Sequence, residues 1–76
     1  MGDKHQRLLY SLQRMEATEG EVYRRLAKKQ KDPRNREILE QIALEEARHE
    51  AVLAEATGRT AKPIMWKVWL HSNIAW

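Results

Sequence analysis

An all-α fold, an antiparallel two-helix hairpin followed by a short third helix, is what this 76-residue sequence predicts. Three observations predict it. Apolar residues recur at spacings of three and four, the period of a helix and not of a strand. Only two prolines and three glycines punctuate the chain, and Pro33, Gly58 and Pro63 fall where helices are expected to start or stop. Each long helix also carries an apolar stripe that one hairpin cannot cover, so the expected assembly is a four-helix bundle built from two chains.

The first helix is expected from about Asp3 to Gln30, where Gly20 alone interrupts a run of good helix formers. Its stripe is Leu8, Leu9, Leu12, Met15, Val22, Tyr23 and Leu26. Lys31–Arg34 is a short connection in which Asp32 caps the next helix and Pro33 suits its first position, where no N–H is needed. The second helix runs to about Thr57, with Gly58 as its stop and a stripe of Ile38, Leu39, Ile42, Val52 and Leu53. So short a turn makes the pair antiparallel. Arg59–Lys62 reads as a linker, and Pro63 opens a shorter helix ending at Trp76. The expected division is a helical hairpin over residues 1–58 and a linker with a Trp-rich C-terminal helix over 59–76.

Composition narrows the chemistry. With no cysteine, disulfides, thiolate catalysis, Cys-based zinc sites and iron–sulfur clusters are excluded, and a reducing compartment fits. Chains this small lean on disulfides, metals or oligomerisation, which leaves metal and self-association. The net charge of +3 is mildly basic. Half of the 14 Lys and Arg lie between Arg24 and Arg36, at the hairpin tip, where they read as a solvated face, with an acidic partner or lipid headgroups as the alternative; without aromatic interleaving they do not point to nucleic acid. The start lacks a secretory pattern, and no apolar run approaches the roughly 18 residues of a membrane span. The expectation is a cytoplasmic protein, with membrane association through the tail as a reservation.

The informative residues are the polar ones on the stripes. At about 100° per residue, Glu16 falls between Leu12 and Tyr23, and Glu19 lies on the same stripe one turn along. Glu46 and His49 sit between Ile42 and Leu53. Charged groups almost never occupy core positions unless they are paired or bind metal. A buried ion-pair network is the rival reading, but no Lys or Arg lies on either stripe, and clustered carboxylates need a cation. Glu46 and His49, three apart, project from one face and can share an ion. Doubling Glu16, Glu46 and His49 about a two-fold axis gives six O/N donors, a set that suits two iron or manganese ions per dimer with Glu16 bridging. Glu19 is open between a further ligand and a solvated stripe-edge residue. Tyr23 reads as a core aromatic, and His5 and His71, which carry no motif, read as surface residues.

Glu16-Ala-Thr-Glu-Gly-Glu-Val-Tyr23 resembles the ferritin and rubrerythrin pattern of a ligand Glu followed seven residues later by a Tyr. Glu46-Ala-Arg-His49 is similar to the second ligand motif of the same superfamily, and Glu19 resembles an additional carboxylate of rubrerythrins. From Glu16 to Gly58, with its Lys-Asp-Pro-Arg-Asn turn, the chain also resembles the ferritin-like N-terminal domain of membrane iron transporters of the vacuolar iron transporter type. The likeness extends to about Leu70, and the two-helix design is similar to encapsulated ferritins. The resemblance implies iron over manganese, a bond from Tyr23 to a ligand carboxylate, and a ferroxidase or peroxidase-like oxidation of Fe(II) by oxygen or peroxide with Glu16, Glu46 and His49 as its centre. Two features depart from it. The chain has two long helices where ferritins and rubrerythrins have four, and it lacks a rubredoxin-like Cys₄ module, so electrons for a peroxidase cycle come from elsewhere. The alternative is an iron-sensing or delivery module without turnover, serving a membrane transporter; a third reading is a structural hairpin whose acids only specify pairing.

The tail from Lys62 holds all three tryptophans. Trp66, Trp69 and Leu70 either pack on the bundle or on another dimer, or the segment meets a membrane surface or transporter through Trp66, Trp69 and Trp76. In the resembling transporters this position leads toward the membrane domain.

Overall fold

The run of strong helix formers folds as α1, Asp3–Lys29, in a computed structural model that describes residues 2–74. α2 spans Pro33–Thr57. The Asp32 carboxylate accepts the Arg34 N–H at 2.9 Å, capping its first turn. Gly58 ends it at φ 68°, in the left-handed region that only glycine enters without strain, and its N–H donates to the Ala54 carbonyl at 2.8 Å. α3 spans Met65–Ile74, beginning two residues later than Pro63. The Ile64 carbonyl accepts the first helical bonds, from Lys67 and Val68 at 3.0 Å each, which leaves Pro63 in the linker. Trp76, where this helix was expected to end, lies outside the described residues.

The expected all-α hairpin with a short third helix is what forms. α2 packs along one side of α1 and α3 along another, with no packing between α2 and α3. The Cα extents of 46 × 22 × 13 Å describe a single flattened layer in the order α2–α1–α3. α3 runs parallel to α1. Its entry is fixed by the Ile64 N–H donating to the Thr18 hydroxyl at 3.0 Å, and its carboxyl end by Lys29, whose Nζ donates to the Ser72 carbonyl and to Asn73 Oδ1. Ahead of both, the start of the linker is held by Gln13, which is fully buried. Gln13 Nε2 donates to the Arg59 carbonyl at 2.6 Å and to Glu50 at 3.2 Å, while its Oε1 accepts the Thr57 hydroxyl at 2.7 Å. The Arg59 guanidinium lies 3.7 Å from the Tyr10 ring centroid.

One layer buries little. The core is Val22, Leu26, Ala27, Leu39 and Val68, with Tyr23 packed against it. Of the expected stripes, Leu8, Leu12, Met15, Ile38 and Val52 stay exposed, by 40–66%. On a helical wheel these residues share one broad side of the hairpin with Glu19 and His49. They form an apolar face that nothing among the described residues covers.

Candidate metal centre

The two long helices come close together at Gly20. A Cβ there would lie 3.5 Å from the Glu46 Cβ and 3.9 Å from the Ala43 carbonyl. One turn before Gly20, Glu16 faces α2. His49, one turn after Glu46, swings its Nδ1 to 3.1 Å from Glu16 Oε2 and 3.4 Å from Glu46 Oε1. One donor atom from each of Glu16, Glu46 and His49 lies within 4.8 Å of the others. The two acids are largely covered, their side chains 22% and 14% exposed, whereas His49 is 61% exposed. The cluster therefore opens on the uncovered apolar face.

Its electrostatics follow from crowding. The Glu46 carboxyl is pushed up from 4.5 to about 7. A shared hydrogen bond with Glu19 contributes most, then burial, then the hydrogen bond with Glu16 and the negative charges of both neighbours. Among the described residues no Lys or Arg pairs with these acids; Glu21 takes up Arg24 and Arg25 instead. In such a cluster a proton does the work that a divalent cation does better. Carboxylate oxygens and an imidazole nitrogen are the donors that suit iron and manganese, so the residues present fit a ferritin-like metal.

Glu19 is exposed and stands outside the trio, yet it reaches Glu46 closely enough to dominate that group's proton affinity. The Tyr23 ring rests on the Val22–Leu26 core, and among the described residues its hydroxyl makes no bond to Glu16 or Glu46. His5 is exposed on the first turn of α1, and Trp66 and Trp69 are exposed on α3. Trp76 lies outside the described residues, so its expected contact is not followed. His71 is exposed too, but with Glu19, Tyr23 and Lys67 it lines a groove of about 550 Å³ between α1 and α3. No local motif announces that neighbourhood, because it depends on where the linker sets α3 down. Among the described residues no helix is long and apolar enough to cross a membrane.

Comparison with curated proteins and with solved structures gives no match. The family model for rubrerythrin matches residues 5–65. That span includes nearly all of α1, the capped turn, all of α2 and every residue of the acid–imidazole cluster. It lends no separate support to the transporter-type or encapsulated-ferritin likeness. A hairpin that gathers Glu16, Glu46 and His49 around one point, matched over most of its length, makes this chain a member of the rubrerythrin family of ferritin-like di-iron proteins.

Proposed function

We propose that this chain binds iron through Glu16, Glu46 and His49 and oxidises Fe(II) with oxygen or peroxide, at a site that a second copy completes across the open apolar face. The observation that carries the reading is the placement of three ligand-type atoms within 4.8 Å on a face lined by uncovered Leu, Met and Val. Two copies supply four glutamates and two histidines, enough for two irons per dimer; the same donors accept manganese. Iron held there supplies electrons to the oxidant from two metal ions at once.

The chain's own residues have distinct tasks. Glu16 and Glu46 hold negative charge in a partly dry setting, where it attracts a cation more strongly than it would in water. His49 brings an imidazole nitrogen against both acids, a further donor of the type that suits iron and manganese. With its carboxyl raised to about 7, Glu46 is protonated part of the time at neutral pH and gives that proton up as the cation enters, so binding and proton release are linked. Glu19, already sharing a hydrogen bond with Glu46, is a further carboxylate within reach of the same ion. The aliphatic side chains around the cluster exclude water once a second copy covers them.

The test is anaerobic Fe(II) titration followed by air, read by absorbance and by mass under native conditions. Saturation near two irons per dimer with rapid growth of an oxo-bridged ferric band is the expected result. Tight binding without that band would replace oxidation by sensing or delivery. Absence of binding would reduce the acids to structural residues and overturn the proposal.

A further inference from the structure

We propose that the outer surface of α3, with the basic hairpin tip beside it, docks on an anionic lipid bilayer. α3 rests on α1 through Val68 and Ser72, which are 0% and 1% exposed. Trp66, Trp69 and Ile74 lie on its flanks and far side, and Met65 stands at its first position above Val68; the four are 49–69% exposed. A ten-residue helix thus turns two indoles and Ile74 outward and leaves Met65 exposed at its start, the reverse of what water selects for a surface helix.

Charge identifies what covers it. No Asp or Glu occurs after Glu55, while Arg59, Lys62 and Lys67 do. The Lys29 contacts to Ser72 and Asn73 bring the carboxyl end of α3 to the hairpin tip. The tip exposes Lys28, Lys31 and Arg34, and among the described residues no carboxylate side chain pairs with them. Lys67 Nζ stands 5.6 Å from the Trp66 ring, which puts an ammonium beside an indole. Indoles at the boundary of headgroups and acyl chains, aliphatic side chains just below and Lys/Arg at the phosphates are the complement of an anionic bilayer surface.

Other occupants fit less well. A two-fold contact of this surface with itself would bring basic residues against basic residues. Nucleic acid would use the charge and the indoles, but Met65 and Ile74 offer a phosphate backbone nothing to bond. At ten residues α3 lies on a bilayer and cannot cross it. None of the acid–imidazole cluster takes part, so docking stands or falls apart from the proposed iron chemistry.

The experiment is co-sedimentation of the full chain with vesicles of phosphatidylcholine alone and of phosphatidylcholine containing phosphatidylserine, at low and high salt. Partitioning at least about tenfold stronger onto the serine-containing vesicles, weakened by salt, is expected. Trp66→Ser with Trp69→Ser should lower it at least about tenfold, and Lys28→Glu with Lys31→Glu should abolish the preference for anionic lipid. Circular dichroism and iron binding of each variant report whether the hairpin is intact. Equal partitioning onto both vesicles, or partitioning indifferent to the tryptophan pair, would overturn the proposal. So would an assembly lost in the tryptophan variant without any vesicle binding, which would make this a face between copies. Tighter binding to an oligonucleotide than to the anionic vesicles would refute it equally.

Discussion

Replacing Glu46 by Gln should stabilise the metal-free protein at pH 8 and leave it unchanged at low pH. The folded-state value of Glu46 is raised, from 4.5 to about 7, so folding favours its protonated form. Below pH 4.5 the carboxyl is protonated in both states and the fold keeps its full stability. As pH rises through 4.5 to about 7, the unfolded chain loses the proton first and stability falls; above that range the loss is complete. A displacement of this size is worth at most about 3 kcal/mol. Because the cluster opens to solvent, screening lowers that to on the order of 1 kcal/mol. A second copy would add more carboxylates and keep the sign. For a chain of this length, about 1 kcal/mol moves the midpoint by roughly 4–8 °C. Gln cannot ionise, so the variant loses this pH dependence. Thermal unfolding followed by circular dichroism, in chelator at pH 4 and pH 8, measures the difference. Iron should stabilise the parent at pH 8, where the carboxylate is free to bind, and do little for Glu46→Gln. Parallel curves for the two proteins across this range would refute the reasoning, because they would mean that Glu46 is not crowded by Glu19 and Glu16.

Three further outcomes follow from contacts elsewhere. At Gly20 a single methyl meets Glu46 only at ordinary contact distance, so Gly20→Ala should stabilise α1 by about 0.5–1 kcal/mol, whereas Gly20→Leu should push the helices apart and lower iron occupancy in a titration. Gln13→Leu leaves the Arg59 carbonyl, the Thr57 hydroxyl and Glu50 without their buried partner; a loss of about 1–3 kcal/mol in urea unfolding is expected. Sedimentation velocity should show iron shifting the chain from monomer toward dimer, and Leu12→Asp should block that shift with little effect on the helix content of the single chain, because Leu12 is already 40% exposed.

What could be read from the sequence was what local chemistry decides. Asp32-Pro33 and Gly58 act within one turn of themselves, and they mark the start and stop of α2 as expected. Glu16, Glu46 and His49 stood out because ionisable residues on an apolar stripe contradict their surroundings. Their convergence then follows from two helices in antiparallel register. What the sequence concealed depends on partners far along the chain. Gln13 and Thr18 look like ordinary polar helix residues, yet each is buried by satisfying a group 37–46 residues away. Those bonds set the position of α3, and with it the start at Met65 and the placing of His71 beside Glu19. The size of the Glu46 displacement was equally hidden, because it needs the side-chain positions of Glu16 and Glu19 and not merely their spacing. The stripes themselves were legible as lines on each helix, but periodicity does not say which of two faces a neighbour will cover.

In the proposed dimer, the uncovered face would make metal and assembly one equilibrium. Burying the exposed half of Leu8, Leu12, Met15, Ile38 and Val52 recovers about 1 kcal/mol for each, and two copies together recover about 10 kcal/mol. Association costs an estimated 4–15 kcal/mol in lost translational and rotational freedom. The two are close, so apolar contact alone leaves the dimer marginal. Pairing also brings a second set of acids toward the first, and that opposes assembly unless protons or cations neutralise them. Iron bound in the proposed dimer would reverse this last contribution by neutralising both sets of acids, and its binding energy would appear as stability of the pair. His49 fits the same logic. It is 61% exposed in the single chain, and in the proposed dimer a second hairpin would cover it, which would couple occupancy of the site to closure of the bundle.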